Sequence, residues 1–230
     1  MKSVALLQAD SGKAPKTAKG HRTRAKILDA ALAVMARDGF LAARIQDVAT
    51  EAGVALGTVY TYFDDKSDLL AALVDEVAPD LFAGSRQHFD RTTEAEVMYA
   101  AVYRYLDTYR RHRDLFELLA QATIVDERFR DYWFAWRGRV MEGMRRGFTA
   151  AKKTGDLDVP GDVVLWASAI GGLVHNYATV WFGTMEGERH DGKPFRENVT
   201  VEESALLLTR IIVRALNLED LPQDFQPPKP

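Results

Sequence analysis

Thr58, Tyr60 and Tyr62 place three hydroxyls within five residues, and Lys66 adds an ammonium four positions later. Hydroxyls of this kind donate to phosphate oxygens. A lysine at a helix start can hold one phosphate together with the free amides of the first turn. Gln46 carries the carboxamide that pairs with adenine in the major groove, and Leu56, Gly57 and Thr61 suit base edges or a thymine methyl. Arg44 fits either a phosphate or a base, while Arg22, Arg24 and Lys26 bring cations from upstream. The chemistry is recognition of a charged duplex. For Tyr60 and Tyr62 the alternative is simple packing against a preceding helix, and for Tyr62 the two readings weigh equally.

These groups need elements to aim them. From Ile45 to Phe63 the chain reads IQDVATEAGVALGTVYTYF. Val48 and Ala49 form the inner face of a short helix, and Ala49 is small where a second helix must cross closely. Gly53 sits where the turn calls for a left-handed backbone, which glycine tolerates. Val54 re-enters the core, and Val59 and Phe63 lie one turn apart on the inner face of the next helix. This is the spacing of a helix-turn-helix, which sets its second helix into the major groove. Upstream, residues 22–37 carry Ile27, Ala31, Val34 and Met35 on one stripe, and Gly39 closes that helix so that Phe40 packs back onto it. Downstream, Asp65 and Asp68 bracket a helix start as a capping box before Leu69, Leu70, Leu73 and Val77.

Residues 22–73 resemble the DNA-binding domain of the tetracycline-repressor (TetR) family of bacterial transcription regulators. The matching segments are RAKILDAAL, the Gly39-Phe40 pair, DVATEAGV, GTVYTYF and the run from Lys66 to Leu70. The resemblance implies that Tyr60 and Lys66 grip the DNA backbone. It also implies that the remaining residues form an all-helical domain that binds a small molecule and dimerises. Two departures stand out. Ala43-Arg44 replaces the Ser or Thr usual before the second helix, and Ala55-Leu56 replaces a polar residue, often Ser, before the recognition helix. Loss of an N-cap hydroxyl costs about 1 kcal/mol, and the change puts the operator sequence in doubt rather than the family.

Composition fits a cytoplasmic protein. The 230 residues, 47% of them hydrophobic, suffice for one good-sized core and a small head. There is no cysteine, so disulfides and thiolate metal sites are excluded. No apolar signal-peptide core with a cleavage site is present at the N-terminus. Residues 159–182 are the most apolar stretch, interrupted by Asp162, Ser168, His175 and Asn176, which reads as a buried helix rather than a membrane span. The net charge is −3, yet residues 1–26 hold seven Lys or Arg against one acid. Residues 1–19 therefore read as a flexible basic arm able to follow DNA, or as a plain solubilising tail. Residues 20–66 form the head, 67–217 a helical effector-binding and dimerisation domain, and 218–230, with four prolines, a loosely ordered tail.

Helical signals fill the second part. A Thr93/Glu96 capping box opens a helix to Arg111, a short apolar helix covers 114–124, and a long one runs from 126 to 153 until Gly155. Pro160 sits in the first turn of a helix reaching about Met185, a loop follows to Asn198, and a Thr200/Glu203 box opens the last helix. The expected fold is all-α, a three-helix DNA-binding head plus a larger helical domain, about nine helices together.

The last two long helices read as a dimer surface. ALLLTRIIVRAL is apolar around most of its circumference, and Ser168, Ala169, Gly171 and Gly172 permit close approach. Effector candidates are Tyr103, Phe116, Trp133, Trp136, Met144, Trp166, Ile170 and His175, an aromatic and aliphatic set with a polar end. Ordinary core is the competing assignment for each. The sum is a homodimer on palindromic double-stranded DNA, a repressor released by a small hydrophobic effector, with no cofactor, metal or membrane partner. The alternatives are a helical ligand-binding or interaction module that has lost specific DNA binding, and a helical-bundle enzyme. No histidine here follows a Glu by three residues, and no phosphate loop, His-Glu-x-x-His or Gly-x-Ser-x-Gly motif occurs.

Overall fold

Apolar residues at helical spacing order the first part of the chain into four helices. These are α1 (Ala18–Ala42), α2 (Ile45–Glu51), α3 (Leu56–Tyr62) and α4 (Lys66–Phe82). Then come α5 (Glu94–Arg111), α6 (Arg113–Val125), α7 (Glu127–Thr154), α8 (Val163–Phe182) and α9 (Val201–Ala215). The computed structural model describes residues 15–82, 93–183, 189–190, 193–194 and 196–225. Among them the fold is all-α but for one feature, within the expected loop before Asn198. Two-residue strands β1 (Arg189–His190) and β2 (Lys193–Pro194) pair antiparallel, Arg189 opposite Pro194 and His190 opposite Lys193.

The contacts divide the chain into two compact units, and the division differs from the expected 20–66 and 67–217. One unit takes Met1–Ala78 with Asp114–Arg137, the other Pro79–Arg113 with Gly138–Pro230. In the first unit α1 packs on α2, and α2 on α3. Ile27, Leu28, Ala31, Val34, Met35, Val48, Ala49, Val59, Phe63, Leu69 and Leu70 are buried there, as are Leu115, Phe116, Leu118 and Phe129 from the later segment. Thr17 caps α1 by accepting the Gly20 N–H at 3.1 Å, so the helix begins inside the segment expected to be a flexible arm. Residues 1–14 lie outside the described part. Gly39 breaks α1 at φ 78°, ψ 157°, and Gly53 turns the chain between α2 and α3 at φ 64°.

In the second unit α9 lies along α5, and α5 along α8. The Thr93 and Thr200 caps form as expected, accepting the N–H groups of Glu96 at 3.3 Å and Glu203 at 3.2 Å. Pro160 is not in the first turn of α8. Gly161 takes φ 76°, and Asp162 is the N-cap, accepting the Val164 N–H at 2.8 Å. The expectation of a buried helix for this stretch is also corrected. α8 is long and apolar enough to cross a membrane by length and composition alone, and 22% of its most apolar window is buried. One stripe, Ala167, Ile170, Val174, Ala178 and Phe182, goes inward. The expected loose tail is docked where it is described: Leu221 is buried, Arg214 pairs with Asp220, and the Phe225 ring meets Tyr99 edge-on at 5.2 Å.

A Cβ added at Gly53 would touch nothing within 4 Å, so only backbone strain opposes a side chain there. Gly53→Ala is expected to lower stability by about 1–2 kcal/mol in urea unfolding; an unchanged midpoint would refute a left-handed turn.

Candidate nucleic-acid interface

Val59 and Phe63 are buried on α3 and its C-cap, and the opposite side carries Leu56, Gly57, Tyr60 and Thr61, all exposed. At 3.6 residues per turn the four positions span an arc of about 140°. These four side chains therefore form one outward surface, with Tyr60 48% and Leu56 39% exposed. Thr61 Oγ1 donates to the Gly57 carbonyl at 3.0 Å. Thr58 is half-buried, and its N–H closes the first turn on the Ala55 carbonyl at 2.8 Å. Gln46 and Arg44 are exposed at the start of α2. Neither α2 nor α3 has a side-chain cap, as Arg44 and Ala55 occupy the cap positions.

Other candidates are engaged within the unit. Tyr62 is half-buried against the first turn of α1, with its Oη 3.5 Å from where a Cβ on Gly20 would lie. Arg22 is exposed, whereas Arg24 pairs with Glu76 at 3.2 Å and lies 5.4 Å from the centre of the Phe63 ring. An ion pair this open contributes at most about 1 kcal/mol.

The start of α4 corrects the expected phosphate cradle. Asp65 Oδ1 accepts the N–H groups of Ser67 at 2.9 Å and Asp68 at 3.0 Å, so those first-turn amides are taken. Lys66 Nζ donates to the carbonyls of Phe40 at 2.8 Å and Leu41 at 2.9 Å, and stands 4.8 Å from the centre of the Phe40 ring. Two of its three protons thus close the broken end of α1. The Asp68 carboxylate reaches back to the Asp64 N–H at 3.0 Å, one residue earlier than the usual capping box.

Sequence reasoning missed the groups that hold this region from α6 and α7. Gln121 Oε1 accepts the Phe40 N–H at 3.0 Å, and the Phe129 ring lies 6.4 Å from that of Phe40. Arg128 pairs with Asp65 at 2.6 Å, and Tyr132 Oη donates to Asp75 at 2.6 Å. Asp126 caps α7 through the N–H groups of Arg128 and Phe129, and accepts the Ser67 hydroxyl in a short hydrogen bond. The available signals were slight: a carboxamide inside the apolar run LFELLAQATIV, and an Asp directly before a helix.

The effector candidates are split between the units. Phe116 is core of the first unit and Trp133 is half-buried there, whereas Tyr103, Met144, Trp166, Ile170 and His175 belong to the second. The Trp136 side chain is outside the described part. Ile170 is buried; Trp166 Nε1 donates to the Pro160 carbonyl at 2.8 Å, and Tyr103 Oη to Glu202 at 3.2 Å. His175 Nδ1 and Tyr105 Oη share a hydrogen bond of 2.7 Å, and the Tyr105 and Tyr109 rings stand edge-on to the imidazole. No group of three or more His, Cys, Asp or Glu poised for a metal occurs among the described residues.

Two short helices in a helix-turn-helix, with an outward face on the second, make an arrangement suited to DNA binding. Residues 27–73 match the family profile "Bacterial regulatory proteins, tetR family". The chain is 43% identical over 51 residues to the fatty acid metabolism regulator protein of Bacillus subtilis, spanning 22% of this chain and 26% of that one. It is 23% identical over 135 residues to the transcriptional repressor KstR2 of Rhodococcus jostii, spanning 54% and 66%. The chain thus spans less than two thirds of each of these relatives. The solved structure of FadR from Bacillus subtilis in complex with stearoyl-CoA superposes with a TM-score of 0.65 at 20% identity, covering 83% of this chain and 98% of that one. Over residues 27–73 the chain is thus similar to the TetR family of bacterial transcription regulators, and beyond them it shares the fold of FadR.

Two carboxylates at the α4–α7 junction respond oppositely to pH. Burial pushes Asp126 up, but the Ser67 hydroxyl, the Phe129 N–H and the Arg128 charge outweigh it and hold the group below its ordinary value. Its stabilisation is present at neutral pH and is lost as pH falls through that lowered value. Asp68 is raised, first by burial and then by Asp65 and Asp64, against the Asp64 N–H. Its contribution is present below the ordinary carboxylate pKa and is lost as pH rises through the raised value. Asp126→Asn should therefore lower the neutral-pH melting temperature, while Asp68→Asn, which keeps an oxygen for the Asp64 N–H, should hold or raise it. Both differences should shrink toward about pH 4, and shifts of the same sign at neutral pH would contradict the assignment. Lys66→Ala should cost about 1–2 kcal/mol in urea unfolding through the two bare carbonyls; no loss would mean the contacts are idle.

Proposed function

We propose that this chain is a cytoplasmic homodimeric repressor that binds a palindromic operator and is released by a small, largely hydrophobic effector. The observation that carries the reading is the outward face of α3, where Leu56, Gly57, Tyr60 and Thr61 stand clear of a core that buries Val59 and Phe63. Gln46, Leu56, Gly57 and Thr61 read bases, and Tyr60, Thr58, Arg22, Arg44 and the remaining proton of Lys66 hold phosphates. Arg24 joins them by leaving Glu76, and Tyr62 acts mainly by packing.

The dimer forms through α8 and α9. Leu165 is 70% exposed, Leu207 50% and Ile211 45%, beside the exposed Ser168, Ala169 and Gly172. Paired with the same helices of a second copy, they make a four-helix bundle that covers this apolar surface. A two-fold dimer presents two reading helices about one DNA turn apart, ~34 Å. The effector lies in the second unit, where Tyr103, Met144, Trp166 and Ile170 supply apolar surface and the Tyr105–His175 pair a polar end. The likeness to a fold solved with stearoyl-CoA supports an elongated apolar effector. The effector works by population shift, favouring a dimer whose reading helices are wrongly spaced, with α4 as one link.

Selection of bound duplexes from a random library, followed by titration of the winner at two salt concentrations, tests the reading. A palindrome with half-sites one turn apart, bound with the mass of a dimer in sedimentation, is the expected result. Weak salt-sensitive binding without enrichment would instead mark a module that has lost its operator.

A further inference from the structure

The corner between α1 and α2 is held from three other helices, and two of the three contacts are hydrogen bonds to the main chain of Phe40. At Gly39 the backbone leaves helical geometry, so the Phe40 N–H loses an intrahelical acceptor. Phe40 is 1% exposed, and an unsatisfied amide in such a place is costly. Gln121 on α6 supplies the acceptor at 3.0 Å. A Cβ on Gly39 would stand 3.3 Å from that same oxygen, so the glycine permits the backbone angle and also leaves room for the carboxamide. Lys66 from α4 takes the Phe40 carbonyl, and Phe129 from α7 meets the ring. Phe40 thus has its amide, carbonyl and ring fixed by three different helices, five residues before α2 begins.

We propose that Gln121 is a positioning residue for DNA reading: by fixing the Phe40 amide it sets the angle at which α1 delivers the chain to α2 and α3. The proposal rests on the regulator reading and adds to it a residue, on α6, that touches no DNA. Ring packing by itself leaves the corner free to rotate about the ring; of the main-chain hydrogen bonds that oppose this, Lys66 holds the Phe40 carbonyl and Gln121 holds its amide.

The test is hydrogen exchange on the full chain, comparing wild type with Gln121→Met and Gln121→Glu. Methionine keeps the length and removes the acceptor; glutamate keeps an oxygen. Gln121→Met is expected to speed exchange of the Phe40 amide and of residues 45–62 about tenfold while 114–120 stay protected, and Gln121→Glu to remain close to wild type. Unchanged exchange over 45–62 overturns the proposal. So does a uniform rise over 15–78 and 114–137, or an equal rise in both variants, since either marks an ordinary loss of stability. On a duplex recovered by selection, Gln121→Met should bind about tenfold more weakly with the same salt slope, because no phosphate contact is removed. Undiminished affinity also overturns it. The exchange result needs no operator, so failure of the regulator reading and failure of this proposal are told apart.

Discussion

Burial of the Phe40 ring at a broken helix end is the constraint around which the first unit is arranged. A helix that stops abruptly in a core exposes amides and carbonyls where water cannot serve them. Here the break at Gly39 is answered by Gln121 for the amide and Lys66 for the carbonyls, and the cation also lies over the ring. Those demands fix the start of α4 and a point on α6. The start of α4 in turn engages α7, through Asp65 with Arg128 and Ser67 with Asp126. Helices α2 and α3 therefore belong to a unit larger than a three-helix head, and residues 114–137 are part of it.

Local features were legible because their causes are local. Gly39-Phe40, Gly53, Val59 and Phe63 signal their roles by spacing, and Thr93, Thr200 and Asp65 are caps because the first apolar residues follow them at fixed distance. What stayed hidden depends on distant partners. Nothing in the neighbourhood of Gln121 says that its acceptor belongs to an amide 81 residues earlier. Lys66 looked like a free cation at a helix start because its two carbonyl partners lie more than two dozen residues upstream. Four prolines suggested a loose tail, and the single Phe225 that anchors it against Tyr99 carries no periodic signal. The start of α8 moved because Gly161 and Asp162 together terminate and cap more strongly than Pro160 initiates.

The apolar character of α8 has two origins that composition cannot separate. Ala167, Ile170, Val174 and Ala178 serve the chain's own second unit, whereas Leu165 and Leu173 stand exposed. α9 repeats the pattern, with Leu208, Ile212 and Val213 inward and Leu207 and Ile211 outward. A run apolar on every side is what the sequence displays in both cases.

Helices α2 and α3, which carry the proposed reading face, are seven residues each and lack a side-chain cap at the N-terminus. Helices of that length have little stability of their own and keep their shape by leaning on neighbours. In the proposed function a duplex is one more such neighbour. Docking of a duplex is then expected to show the signature of coupled ordering: a favourable enthalpy offset by entropy, and a heat capacity more negative than a rigid surface of the same area would give.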